Sequence, residues 1–134
     1  MKGALIWAAP PENRPYSRKL YDPFWATAQE LGTPLSLHTL TGRTKAAQQD
    51  ESDIDELYAR MVIRTHEKQH SLCTLIFSGV FERFPGLKMV SAENDIAWVP
   101  HLLERADKYY RRFKQAYASA LSLKPSEILL SLMF

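Results

Sequence analysis

Short apolar runs alternate along the chain with longer stretches in which apolar residues recur every three or four positions. Gly3 to Ala8 is such a run, closed by Pro10-Pro11, and reads as a buried strand. Asp22-Pro23 stands in the order of an N-cap and a first helical residue. Trp25, Ala28 and Leu31 follow at helical spacing, and Gly32 closes the segment. Pro34 to His38 is a second extended run, entering a Gly-, Thr- and Gln-rich loop that continues through Ser52. Beyond Asp53, the residues Ile54, Leu57, Tyr58, Met61, Val62, Thr65, Leu72, Ile76, Phe77 and Val80 trace one apolar stripe. The stripe predicts a long helix, or a helix pair broken near Ser71, ending where Pro85-Gly86 forces a turn. Leu87 to Ala92 is the third strand. After Asn94-Asp95, the spacing of Trp98, Leu102, Leu103, Ala106, Tyr109, Tyr110 and Phe113 predicts an amphipathic helix, and Pro125 opens a last one predicted to run to Phe134.

The order β-α-β-α-β-α with short apolar strands predicts an α/β fold with parallel strands joined by helical crossovers. Strands that are apolar along their whole length need cover on both faces and neighbours on both edges. Three strands do not supply that, so the chain reads as part of a larger sheet or barrel.

Composition narrows the picture further. At 134 residues, 46% of them hydrophobic, the chain is long enough for one core, and a single domain over 1–134 is expected. It has neither a run of about 20 apolar residues nor the N-terminal pattern of a signal peptide, so a soluble cytoplasmic protein is expected. Seventeen basic residues against fifteen acidic ones leave a net charge of +2, which gives no electrostatic reason for a nucleic-acid or anionic-membrane partner. The cations Arg105, Lys108, Arg111, Arg112 and Lys114 read as a solvated helix face. Cys73, the one cysteine, has no internal disulfide partner.

Two places carry candidate chemistry. His38 ends the second strand and Glu93 follows the third, and the carboxyl ends of parallel strands are where ligands and catalytic groups gather. If those strands are neighbours, an imidazole and a carboxylate share one rim, which suits a divalent metal or an acid/base pair. The bland alternatives are a histidine that caps its strand end and a solvated Glu93 beside an N-capping Asp95. The second place is His66-Glu67-Lys68-Gln69-His70, which matches the His-Glu-x-x-His pattern of zinc peptidases. In that pattern both histidines bind zinc and the glutamate acts as base. Here His66 lies at the margin of the apolar stripe and His70 nearly opposite it, so both are expected to face solvent as a coincidental match.

Several segments resemble the amidohydrolase-related family, which includes the aminocarboxymuconate semialdehyde decarboxylase type. They are Tyr21 to Trp25 leading to Leu31 through His38, the stretch Leu75 to Lys88, then Ala92-Glu93 and Trp98-Val99-Pro100, with the ending Pro125-Ser126-Glu127. The resemblance implies three consecutive β-α units of a (β/α)₈ barrel that binds a divalent metal, often zinc. It also implies hydrolysis of small carbonyl compounds or decarboxylation of small acids. His38 matches the family's metal ligand on a middle strand. Glu93 stands where a further active-site histidine usually follows the next strand. The family's first-strand His-x-His and late aspartate have no counterpart, so the chain is expected to be the middle portion of a barrel with little activity alone. At about 45 residues per unit, eight units need roughly 350 residues, within the range of such barrels. A zinc peptidase built on His66, Glu67 and His70, and a non-catalytic module that covers its strand edges by homo-oligomerising, are the alternatives from other classes.

Overall fold

The structure is a computed structural model and describes residues 2–42, 54–115 and 121–131. Strand β1 (Ala4–Trp7) leads through a 3₁₀ turn at Lys19–Tyr21 into helix α1 (Asp22–Glu30) and strand β2 (Leu35–His38). Helices α2 (Ile54–Ile63), α3 (Thr65–Phe77) and α4 (Val80–Arg83) precede strand β3 (Met89–Ala92), and α5 (Trp98–Phe113) and α6 (Pro125–Ser131) complete the order. The strands form one sheet, β1-β2-β3, parallel throughout, in which Trp7, His38 and Ala92 lie side by side in register. Expectation and structure agree on the α/β class, the strand positions and the parallel pairing.

The core lies on one face of this sheet. Strand periodicity of two sends Leu35 and Leu37 of β2 toward the helices. There they are buried with Trp25, Leu72, Leu75, Ile76, Val80, Phe81, Tyr110 and Ile128. Tyr16 and Trp25 meet edge to face, with centroids 5.5 Å apart. By the same alternation the opposite face carries Leu5 and Trp7, Ser36 and His38, and Val90 and Ala92. On that face Leu5 is 65% exposed, Val90 46% and Trp7 40%.

Four local expectations are corrected. Asp22 is not the N-cap of α1; Tyr21 holds that position without a side-chain cap bond. Asp22 Oδ1 instead accepts a 2.9 Å bond from Arg83 Nη2, tying α1 to α4. The break in the long stripe falls at Arg64, not near Ser71. Ser71 lies inside α3 with its hydroxyl bonded to the Ala8 carbonyl, so the chain has no reason to part there. The stripe itself divides: Ile54, Tyr58, Met61 and Val62 of α2 are exposed, while α3 buries Lys68, Ser71, Leu72, Leu75 and Ile76. On α5, Tyr109 and Phe113 stack on each other outside the core, with centroids 6.0 Å apart. The last helix is described to Ser131, and both its expected end and the loop over 43–53 lie outside the described residues. No helix among the described residues is long and apolar enough to cross a membrane.

Candidate functional site

His38 is the last residue of the central strand, and its alternation places the ring on the face away from the helical core. Its Nδ1 lies 2.8 Å from the Thr39 carbonyl oxygen. A carbonyl oxygen only accepts, so Nδ1 carries a proton and donates, and in the neutral ring Nε2 keeps its lone pair. Nε2 faces Glu93 Oε2 at 3.7 Å. The expected meeting of these residues on one rim is therefore present. The distance exceeds a direct hydrogen bond, and with the ring neutral both atoms present lone pairs to the gap. In that form the pair can share a cation, and with Nε2 protonated it is an ion pair.

Side-chain bonds from three directions knit the loops around this pair together. The Thr41 hydroxyl accepts the Ala8 N–H at 2.7 Å and donates to the His38 carbonyl at 2.6 Å, joining the ends of β1 and β2. Thr39 Oγ1 donates to the Glu93 carbonyl at 2.9 Å, joining β2 and β3. From below, Ser71 Oγ of α3 donates to the Ala8 carbonyl at 2.6 Å. Lys68, one turn earlier on α3, donates to Thr39 Oγ1 at 2.5 Å, the Glu93 carbonyl at 2.8 Å and the Ala92 carbonyl at 2.9 Å. Burial holds its ammonium below the usual lysine range, opposed by the carboxylates of Glu93, Asp95 and Glu67. The Trp98 indole N–H donates to the Asn94 and Asp95 carbonyls, which fixes the entrance to α5. Asp95 does not cap that helix: Ala97 is the N-cap, without a side-chain bond.

The rim also stores backbone strain. Leu40 (φ 67°), Glu93 (φ 50°) and Asp95 (φ 43°) are the residues other than glycine with positive φ among those described, and all lie in the two loops that follow β2 and β3. Strained conformations of this kind persist where the surroundings enforce them, and they gather at working sites.

The second candidate is arranged differently. His66 and His70 are exposed on α3, and the buried residue of His66-Glu67-x-x-His70 is the intervening Lys68. Lys68 was missed in the sequence because its charge marks it as solvated. The available signal was spacing: it falls three residues after Thr65 and four before Leu72, on the stripe itself. Among the described residues, no group of three His, Cys, Asp or Glu side chains could hold a metal ion. The donor chemistry of His38 nevertheless fits one ligand position, because metal-bound histidines characteristically donate their second ring N–H to a carbonyl or carboxylate.

Comparisons with known proteins agree with this architecture. The chain superposes on an amidohydrolase from Mycobacterium avium subsp. paratuberculosis K-10 with a TM-score of 0.70 and 25% identity, covering 93% of the present chain and 33% of the other. A second solved structure, 5-carboxyvanillate decarboxylase from Sphingomonas paucimobilis, gives a TM-score of 0.67 at 22% identity and covers 96% and 38% respectively. The chain thus spans about a third of the length of the solved proteins it matches, and its fold is three consecutive β-α units of a (β/α)₈ barrel. No curated protein sequence matches it. The amidohydrolase family model matches residues 1–128, nearly the whole sequence, and the chain belongs to the amidohydrolase family.

Proposed function

We propose that this chain supplies part of the metal-binding rim of a metal-dependent amidohydrolase-family enzyme that hydrolyses small carbonyl compounds or decarboxylates small acids. The observation that carries the reading is the facing of His38 Nε2 and Glu93 Oε2 at the carboxyl ends of adjacent parallel strands. His38 is assigned as a metal ligand through Nε2, oriented by its Nδ1–H bond to Thr39. Glu93 is assigned as the second site residue, a carboxylate able to hold or move a proton at Oε2. Zinc suits a mixed imidazole and carboxylate donor set. When bound, a divalent ion polarises a carbonyl and brings the pKa of bound water toward ~7.

One imidazole and one carboxylate fall short of the three or so protein ligands a catalytic zinc needs, and the first-strand His-x-His and late aspartate are the groups we infer to complete it. A small-molecule substrate and a cytoplasmic setting accompany this reading, and the 134 residues are assigned to a single domain, the middle portion of the barrel.

The test is a zinc titration of this chain followed by NMR, together with a turnover assay. We expect weak binding that perturbs the signals of His38, Thr39 and Glu93, vanishes in His38→Ala and survives in His66→Ala and His70→Ala, with negligible turnover. Perturbations centred on His66 and His70, or unaffected by His38→Ala, would sink the assignment. Tight stoichiometric zinc with robust hydrolysis would show that the site is complete without further ligands.

A further inference from the structure

We propose that Lys68 is a positioning residue for the rim: its buried ammonium holds Glu93 in a left-handed backbone conformation, and that conformation turns the Glu93 carboxylate toward His38. Lys68 is 1% exposed, and its three N–H donors meet three oxygens, Thr39 Oγ1 and the carbonyls of Ala92 and Glu93. Successive carbonyls along an extended strand point to opposite sides, so one donor group does not reach two in a row. The turn at Glu93, with φ 50°, swings its carbonyl to the same side as that of Ala92, and both converge on Nζ. A side chain with donors and no acceptor is the type that can hold such a cluster of oxygens. Thr39, which both accepts from Lys68 and donates to the Glu93 carbonyl, completes the clamp next to His38.

The two exposed histidines make the His66-Glu67-x-x-His70 segment look like a metal motif, but its structural work falls to the residue between them. The three hydrogen bonds of Lys68 go to Thr39 Oγ1 and two backbone carbonyls, so beyond the attraction between its charge and the Glu93 carboxylate it holds the site through the backbone. The inference rests on the assignment of His38 and Glu93 to the site. Its test reads folding and local geometry in the metal-free chain, so it fails or succeeds separately from the zinc titration.

The experiment compares Glu93→Ala with Glu93→Gly by urea unfolding of the full chain, once with Lys68 and once with Lys68→Met. With Lys68 present, Glu93→Gly folds more favourably than Glu93→Ala by about fivefold in equilibrium constant, because glycine carries no Cβ penalty at positive φ. With Lys68→Met the backbone at 93 is free to relax, and the ratio falls to about one or below. An unchanged ratio overturns the proposal. If Lys68→Met does not fold, Thr39→Val replaces it, removing one acceptor of Lys68 and one donor to the Glu93 carbonyl. The ratio then shrinks, and constancy again overturns the proposal. A second readout is the NMR cross-relaxation between the His38 ring and the Glu93 side chain. It is expected to disappear in Lys68→Met and to persist in Ser71→Ala, which removes another buried bond of the same helix. Its persistence in Lys68→Met is the contrary result.

Discussion

Tyr16 shows how a single side chain joins the loops to the sheet. Its hydroxyl donates to the Trp7 carbonyl at 2.8 Å, and its ring is buried against Trp25 and Tyr21. Burial first, and the neighbouring Tyr21 second, push its phenol above the usual tyrosine value, with the bond to Trp7 opposing. The folded state therefore prefers the neutral phenol. That preference is fully expressed below the unfolded tyrosine pKa of about 10 and is lost as the pH climbs beyond it. Tyr16→Phe is expected to cost about 1 kcal/mol at neutral pH and to flatten the alkaline loss of stability, as measured by urea unfolding at a series of pH values. Legibility from sequence divides sharply at this scale. His38 was visible because a strand end is a recognisable place. Lys68 was not, because a lysine is buried only when several oxygens converge on it, and those oxygens come from residues 39, 92 and 93.

At the scale of elements, the turn signals were the most legible. Gly32 ends α1 in a Schellman motif: its own N–H donates to the Gln29 carbonyl at 3.0 Å, and the Thr33 N–H reaches the Ala28 carbonyl at 2.9 Å. Gly32 has φ 58°, and a Cβ placed there meets nothing within 4 Å. The cost of Gly32→Ala is therefore conformational rather than steric, about 1 kcal/mol by thermal unfolding, and Gly32→Asn is expected to cost less. The helix pair was harder to read. A periodicity of three to four continues across Arg64, yet α2 exposes its apolar residues and α3 buries a lysine and a serine with its leucines. Hydropathy alone does not say which stripe packs, since the deciding partners of Lys68 and Ser71 are carbonyls at distant strand ends. The helix α5 was legible in its position but not in its outer margin, where Tyr109 and Phe113 satisfy each other.

Over the whole molecule, the parallel order and the barrel affinity followed from strands that are apolar along their length. Among the described residues, β1 and β3 each have one neighbour, and the face bearing Leu5, Trp7 and Val90 is open. Exposed apolar strands with unpaired edges associate, so sedimentation velocity of this chain is expected to show concentration-dependent self-association that Val90→Lys reduces. A concentration-independent monomer would contradict that expectation. The clamp beneath the rim has a temporal consequence. Its bonds join Ser71 to Ala8, Lys68 to Thr39 and Glu93, and Thr39 to Glu93, across separations of 63, 29, 25 and 54 residues. Contacts that distant form late, because long loops must close before they are rewarded. The His38–Glu93 pair is therefore expected to assemble only once the third strand has docked beside the second, and local opening of α3 is expected to loosen it, as hydrogen exchange would read.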